Sequence, residues 1–322
     1  MTEFRTVRAD EVTSLYELWA RAFTASHIVP LYEQDEGRLG RTLVAADATG
    51  VLAVVYWLPR DVRDAHGGVQ RVGCLSSVAT RPDARGRGLV RRLLAMAADA
   101  MTAAGCAWSL LFTGTPGVYT GSGWRVFDRP RVDGRFAAAG TLDAGTLDAG
   151  WTAGPAGLDD WTVLDDWTGL DDWTVLAALH DRHDDRRPLT TVRSARDWTG
   201  RVPVWYGPPH EILLVREHGT PMAYAVVDWS AGDVVEVALA ADRAAGPLLR
   251  AVAAEARARG VRSGRLRAPL DPPVRAALPL LFEEWERRDE RTGMARPLLL
   301  EEADVRAVVE HPRAVHWTAD YF

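Results

Sequence analysis

The stretch Ser76–Leu94, "SSVATRPDARGRGLVRRLL", decides the fold. It leaves a strand-like run, crosses a loop holding two glycines and several arginines, and enters a helix in which Leu89, Leu93 and Ala97 form one row and Val90 and Leu94 another. At such a junction the first backbone N–H groups of the helix are unpaired, and the macrodipole leaves partial positive charge there. An anion is the natural guest. Gly86 and Gly88 let the backbone approach it, and Arg85, Arg87 and Arg91 add charge-assisted hydrogen bonds, a combination that suits a pyrophosphate. The spacing is not the G-x-G-x-x-G of a dinucleotide loop and lacks the Walker lysine, which disfavours NAD and ATP. The plainer alternative is an arginine-rich turn that holds nothing.

Outward from this loop the pattern is α/β. "FRTV" (Phe4–Val7) reads as a short strand, and "DEVTSLYELWARAF" as a helix with Val12, Leu15, Leu18, Trp19 and Phe23 at helical spacing. "RTLVAA" and "VLAVVYWLP" follow as a hairpin across the turn "DATG", and "VQRVGCLSSVAT" is the strand that leads into the loop. Gly105 stops the helix, and "AWSLLFT" returns to a strand. A second α/β pattern comes later: "EILLVREHG", "PMAYAVVDWS" and "DVVEVALA" as strands, "AGPLLRAVAAEARARG" as a helix, "SGRLRAP" as a strand, "PPVRAALPLLFEEW" as a helix and "MARPLLL" as a strand. Between the two patterns lie short tandem repeats, "TLDAGTLDAG" (Thr141–Gly150) and "LDDWTVLDDWTGLDDWTV" (Leu158–Val175), whose last copy runs into the helix-like "VLAALHDRH". Periods of five and six match no solenoid unit, so the repeats read as a linker. The alternative is an acidic, aromatic surface, with Trp161, Trp167 and Trp173 each after an aspartate pair, that attracts a polycation. The expected division is residues 1–133 as a first domain, 134–174 as linker, 175–300 as a second domain and 301–322 as a tail.

Composition narrows the function. The chain has 322 residues, 47% of them hydrophobic, enough for two domains with cores of their own. Its formal charge of −6 argues against a nucleic-acid binder and is compatible with a cationic small substrate. It contains no Lys and no Asn, a bias that reads as mutational, from a GC-rich genome. Cys74 and Cys106 sit in apolar runs without metal-ligand or disulfide spacing and read as reduced core residues. With no signal-like N-terminus and no run of ~18 apolar residues, no membrane attachment is expected and the expected location is cytoplasmic. His180 and His183 lie three apart amid aspartates on a helix expected to be exposed, so no metal is expected there.

"RGRGLV" (Arg85–Val90) resembles the pyrophosphate loop of the GCN5-related N-acetyltransferases (GNAT), whose pattern is R/Q-x-x-G-x-G/A, with Val90 where Gly or Ala is usual. That resemblance implies an α/β (α+β) fold. It also implies acetyl-CoA, or another acyl-CoA, as co-substrate, held at Arg85, Gly86, Arg87, Gly88, Leu89, Val90 and Arg91, with the strand around Val78, Ala79 and Thr80 pairing with the pantetheine arm. "FTGTPGVYTGSGWRVF" (Phe112–Phe127) looks like the family's fifth strand, the helix with its tyrosine and the closing strand. By that match Tyr119 protonates the departing CoA thiolate; a packing tyrosine is the alternative.

The attacking amine must arrive neutral, and the glutamate that many members place on the fourth strand is missing from "VQRVGCLSSVAT". This absence, the tandem organisation and the ending "HWTADYF" resemble the Eis-like acetyltransferases. They end in an aromatic residue whose terminal carboxylate serves as base, which assigns that role to Phe322. The resemblance implies a tandem GNAT fold with a degenerate second domain, in which "ALAADRAAGPLLRAV" offers only Gly246 and binds no CoA. It further implies a small-molecule amine as acceptor, such as an aminoglycoside or amino sugar, and leaves the oligomeric state open. His27 with Glu33, Asp35 and Glu36 is a candidate acceptor-site segment. The rival reading is a non-catalytic tandem fold that senses a CoA thioester; turnover with an amine separates the two.

Overall fold

A computed structural model describes residues 1–137, 147–156 and 172–322, so the repeats at 141–146 and 158–171, Trp161 and Trp167 included, lie outside the described residues. The first unit comprises β1 (Glu3–Thr6), α1 (Val12–Ala22), α2 (Ile28–Glu33), α3 (Arg38–Arg41), β2 (Thr42–Asp47), β3 (Gly50–Arg63), β4 (Val69–Thr80), α4 (Leu89–Ala103), β5 (Trp108–Phe112), α5 (Gly117–Thr120) and β6 (Arg125–Phe136). The second comprises β7 (Trp151–Pro155), α6 (Asp172–Asp184), α7 (Val202–Tyr206), β8 (His210–Glu217), β9 (Thr220–Asp228), β10 (Asp233–Leu239), α8 (Ala245–Ala258), β11 (Ser263–Leu266), α9 (Pro272–Leu281) and β12 (Phe282–Pro297). A last helix, α10 (Glu302–Val309), precedes the C-terminal segment.

The twelve strands of the described residues form one sheet in the order β1-β2-β3-β4-β5-β12-β6-β11-β10-β9-β8-β7. Read from either edge, the order is the same: five strands of one unit, the last strand of the other, then the unit's own last strand. Each unit thus lends its final strand to its neighbour. In both, the fourth and fifth strands are the parallel pair, joined through a long helix: β4 with β5 across α4, and β10 with β11 across α8. At the exchange the Phe127 ring covers Gly293 and the Phe282 ring covers Gly134, so a Cβ at either glycine would overlap a ring.

Alternation along β3 separates two cores in the first unit. Val54, Tyr56 and Leu58 face α1 and α2 with Leu15, Trp19 and Tyr32, while Val55 and Trp57 face α4 with Leu93, Leu94 and Ala97. The second unit repeats this, with Val234 and Val237 toward α8 and α9, and Val235 and Ala238 toward α6 and α7. Cys74 and Cys106 are free and buried. No described helix is long and apolar enough to cross a membrane.

Three local expectations differ from what is observed. The helix expected through "FEEW" stops at Leu281, and the next sixteen residues are β12, whose charges pair across to β6, as in Arg129–Glu290 at 3.0 Å and Arg135–Glu284 at 3.1 Å. Within the interval expected as linker, β7 pairs with β8. His180 is buried rather than exposed, its Nε2 3.1 Å from Asp184, because α6 packs its histidine face against the second sheet.

Candidate functional site

The glycine loop caps α4 without a side chain. Gly88, the N-cap, has φ 73°, and Gly86 has φ 74°, left-handed values that disfavour any residue with a Cβ. A Cβ at Gly86 would meet open space. Arg85, Arg87 and Arg91 are exposed and make no ion pair among the described residues, whereas neighbouring Arg81 is spent on Asp83 at 2.7 Å. Leu89 is buried and Val90 half-buried, which seats the helix on β3 and leaves the loop's N–H groups outward. Arg87 donates to the Thr2 hydroxyl at 3.3 Å, and the three guanidiniums, unpaired with any carboxylate among the described residues, surround a turn that can receive an anion.

Below the loop the sheet opens. The β4–β5 pairing covers only Val72–Cys74 against Trp108–Leu110, yet β4 continues to Thr80. A bulge on β4 starts the divergence: Ser77 has φ 50°, the β3 register shifts between Val54 and Tyr56, and the Trp19 indole N–H donates to the Ser77 carbonyl at 2.8 Å. Past the bulge, Arg81 N–H donates to Leu52 O at 2.8 Å, and Ala79 lies opposite Val54. By antiparallel alternation Ala79 therefore turns its backbone to β3, and Val78 and Thr80 turn theirs to the opening.

Tyr119, on α5, borders the α4 side. It is 8% exposed and shares a core with Leu75 and Leu111, against which Val78 also packs. Burial pushes its hydroxyl up to about 12, with the Thr113 side chain opposing, so it is protonated at neutral pH.

Phe322 borders the opposite side. With Ser76, Ser77, His27, Tyr32, Tyr56 and Arg201 it lines a cavity of about 20 Å3. The preceding carbonyl, of Tyr321, accepts from Arg201 Nη2 at 2.8 Å and from the Trp205 indole at 3.1 Å. The Tyr321 ring lies 4.6 Å from that of Phe112, the last residue of β5. Tyr119 and Phe322 thus flank the bulged segment of β4 from its two faces.

Of His27, Glu33, Asp35 and Glu36, expected near an acceptor, His27 alone lines the cavity, its ring 4.0 Å from Trp205 and its pKa lowered by burial. Glu33 accepts from Tyr16, Asp35 accepts from Tyr56 at 2.7 Å and pairs with Arg41, and Glu36 pairs with Arg196. Sequence reasoning missed Arg201, Trp205 and the Arg60–Asp197 pair beside them, at 2.6 Å. Burial, with Arg60 nearby, lowers Arg201 to about 10 against the opposing pull of Asp197. No local motif marks these residues; Asp197, Arg201 and Trp205 arrive from the second unit and meet Arg60 on β3. Among the described residues no cluster of His, Cys, Asp or Glu has the geometry to hold a metal ion.

Residues 3–127 match the acetyltransferase (GNAT) domain model. Among solved structures, a probable N-acyltransferase from Enterococcus faecalis is similar over 93% of this chain and 73% of its own, at 14% identity and a TM-score of 0.69. Eis1 from Mycobacterium abscessus is similar over 92% and 74%, at 15% identity and a TM-score of 0.59. A tandem GNAT protein from the clavulanic acid biosynthesis pathway is similar over 94% and 100%, at 15% identity and a TM-score of 0.55. At these identities the likeness establishes the fold. No curated protein matches the sequence.

Proposed function

We propose that this chain, a GNAT-superfamily acetyltransferase with the tandem fold of the Eis-like proteins, transfers an acetyl or longer acyl group from acyl-CoA to a primary amine of a small molecule. The observation that carries the reading is the opening between β4 and β5, with the arginine-lined glycine loop on one face and Phe322 on the other.

In this reading Arg85, Arg87 and Arg91 and the amides from Gly86 to Arg91 hold the pyrophosphate, and Val78 and Thr80 pair with the pantetheine arm along the free edge of β4. Ala79, expected to share that pairing, contributes by holding β4 to β3. The Val78 N–H polarises the thioester carbonyl. The amine attacks that carbon directly: the C–N bond forms, the C–S bond breaks, the Phe322 carboxylate takes the amine proton and Tyr119 gives its proton to sulfur. The high pKa of Tyr119 keeps that proton in place at neutral pH.

The acceptor face is walled by aromatic and aliphatic groups and carries a cation, Arg201, and no side-chain carboxylate among the described residues that line it. That composition suits a single amine on a compact molecule, such as an amino sugar or an antibiotic with one reachable amine, working in the cytoplasm. A polycationic aminoglycoside fits less well. The second unit, with Gly246 inside α8 and no glycine loop, binds no CoA.

Calorimetric titration with acetyl-CoA and octanoyl-CoA tests the reading: one site per chain is expected, and no binding to either would overturn it. One observation favours the rival reading of a non-catalytic thioester sensor, the small volume of the acceptor cavity. Binding without turnover on any amine, or turnover indifferent to Tyr119→Phe, would decide for the sensor.

A further inference from the structure

The second unit opens as the first does. Its parallel pairing ends at Val234 and Leu266, while β10 runs on to Leu239. Here, however, the gap is filled by the chain itself. Val315 and Trp317 belong to the core on the α8 and α9 face, and Ala319 to the core on the α6 and α7 face, so the C-terminal segment passes from one side of the sheet to the other.

It is held there by buried polar contacts. Arg193, whose side chain is fully buried, donates through both terminal nitrogens to Glu236 on β10, at 3.0 and 2.6 Å, and through Nε to Asp320 at 2.8 Å. The Tyr206 and Tyr224 hydroxyls also donate to Glu236, the Ala319 N–H donates to the Tyr206 oxygen at 3.2 Å, and the Trp317 indole donates to Asp184 at 2.7 Å. A buried ion group of this kind is weak evidence for stability, since desolvation offsets much of the attraction. What it supplies is register. A shift of the segment by one residue would leave Asp320 and one face of Arg193 buried without partners, which strongly disfavours any other register.

We infer that Arg193, fixed by Glu236, is a positioning residue that acts through Asp320, two residues from the chain end, to set Phe322 against the bulge of β4. The second unit is then a receiver for the chain's own C-terminal segment, which occupies the place that the co-substrate takes in the first unit. This rests on the reading of the Phe322 carboxylate as base.

The test compares Asp320→Ala, which removes the contact, with Asp320→Asn, which keeps an acceptor for Arg193 Nε. Two quantities are measured on the full chain: release of Phe322 by a carboxypeptidase, and kcat and KM with acetyl-CoA and the best amine found. Asp320→Ala is expected to release Phe322 at least tenfold faster and to lose at least tenfold in kcat, with the KM for acetyl-CoA within twofold. Asp320→Asn is expected to recover most of both. If Asp320→Ala does not accumulate as folded protein, the release rate of Asp320→Asn against the unmodified chain decides, and equal rates with equal kcat would overturn the inference. Phe322 that stays protected in Asp320→Ala would overturn it alone. Phe322 released freely with kcat unchanged would overturn both it and the assignment of the base.

Discussion

Gly86→Ala separates the two things a glycine loop can do. At φ 74° an alanine is strained by ~1–2 kcal/mol, and its Cβ would touch nothing within 4 Å. That strain is present with and without ligand, so it lowers stability and leaves the dissociation constant for acetyl-CoA where it was. An effect on binding therefore reports a Cβ standing where the ligand must come. The chain supplies its own control. Gly105, just beyond the other end of α4, has φ 75° and equally open surroundings. Gly105→Ala should cost the same ~1–2 kcal/mol in a denaturant or thermal melt, with acetyl-CoA binding unchanged. Gly86→Ala should match it in the melt and weaken acetyl-CoA at least tenfold by calorimetry, about 1.4 kcal/mol of excluded contact. If the two variants melt alike and bind alike, Gly86 serves the turn alone and the loop is not the cradle.

Arg91→Ala and Arg87→Ala should each raise the acetyl-CoA Kd by roughly tenfold, the loss of one charge-assisted hydrogen bond, and the effect should shrink at high salt in titrations between 50 and 500 mM, concentrations chosen as about a tenfold span. Tyr119→Phe should lower kcat by ~100-fold or more and leave acetyl-CoA affinity unchanged, measured by thiol release and calorimetry. Lengthening the chain by one glycine after Phe322 should cut kcat sharply and spare CoA binding; unchanged kcat would remove the terminal carboxylate from the chemistry. Burial holds His316 down at about 4, so it is neutral in the folded chain while its unfolded counterpart takes up a proton below ~6.5. Stability should accordingly fall as pH drops from ~6.5 toward 4, and His316→Phe, which keeps the 4.8 Å stack on Phe112, should flatten that limb in urea melts across pH.

Much of the first unit was legible because its signals are local. β3 and β4 are dense in β-branched and aromatic residues, and the apolar rows Leu89–Leu93–Ala97 and Val90–Leu94 gave α4 its length. The glycines at 86, 88 and 105 sit where a positive φ is needed. The rest was hidden because its cause is distant. β12 carries charges where a buried strand would carry apolar residues, since its middle stretch pairs with β6 through ion pairs and only Phe282 at its start and Met294 and Ala295 near its end enter cores. The acidic loop after α1 looked available, yet Arg41, Tyr56 and Arg196 consume its carboxylates from elsewhere in the chain. Arg193, Glu236 and Asp320 are 43 and 84 residues apart, and no spacing rule joins them. Phe322 was read by resemblance, and by its aromatic neighbours Trp317 and Tyr321.

The exchange of final strands explains why residues from the second unit can complete a site in the first. Had each unit kept its own last strand, the two sheets would meet edge to edge, a contact free to slip or part. With β12 between β5 and β6, and β6 between β12 and β11, the sheet runs through without an internal edge, and its bonds fix the distance between the two openings. Arg201 and Trp205 can then be placed on the Tyr321 carbonyl from α7 and the turn before it. A flexible tail carrying a carboxylate would reach that point rarely, and its effective concentration would fall as its tether lengthened. A tail threaded through a second sheet and locked by Asp320 pays that ordering entropy at folding rather than in each turnover. A sheet with an open cleft is a scaffold that can hold an extended segment on both faces, as the second unit holds Val315, Trp317 and Ala319.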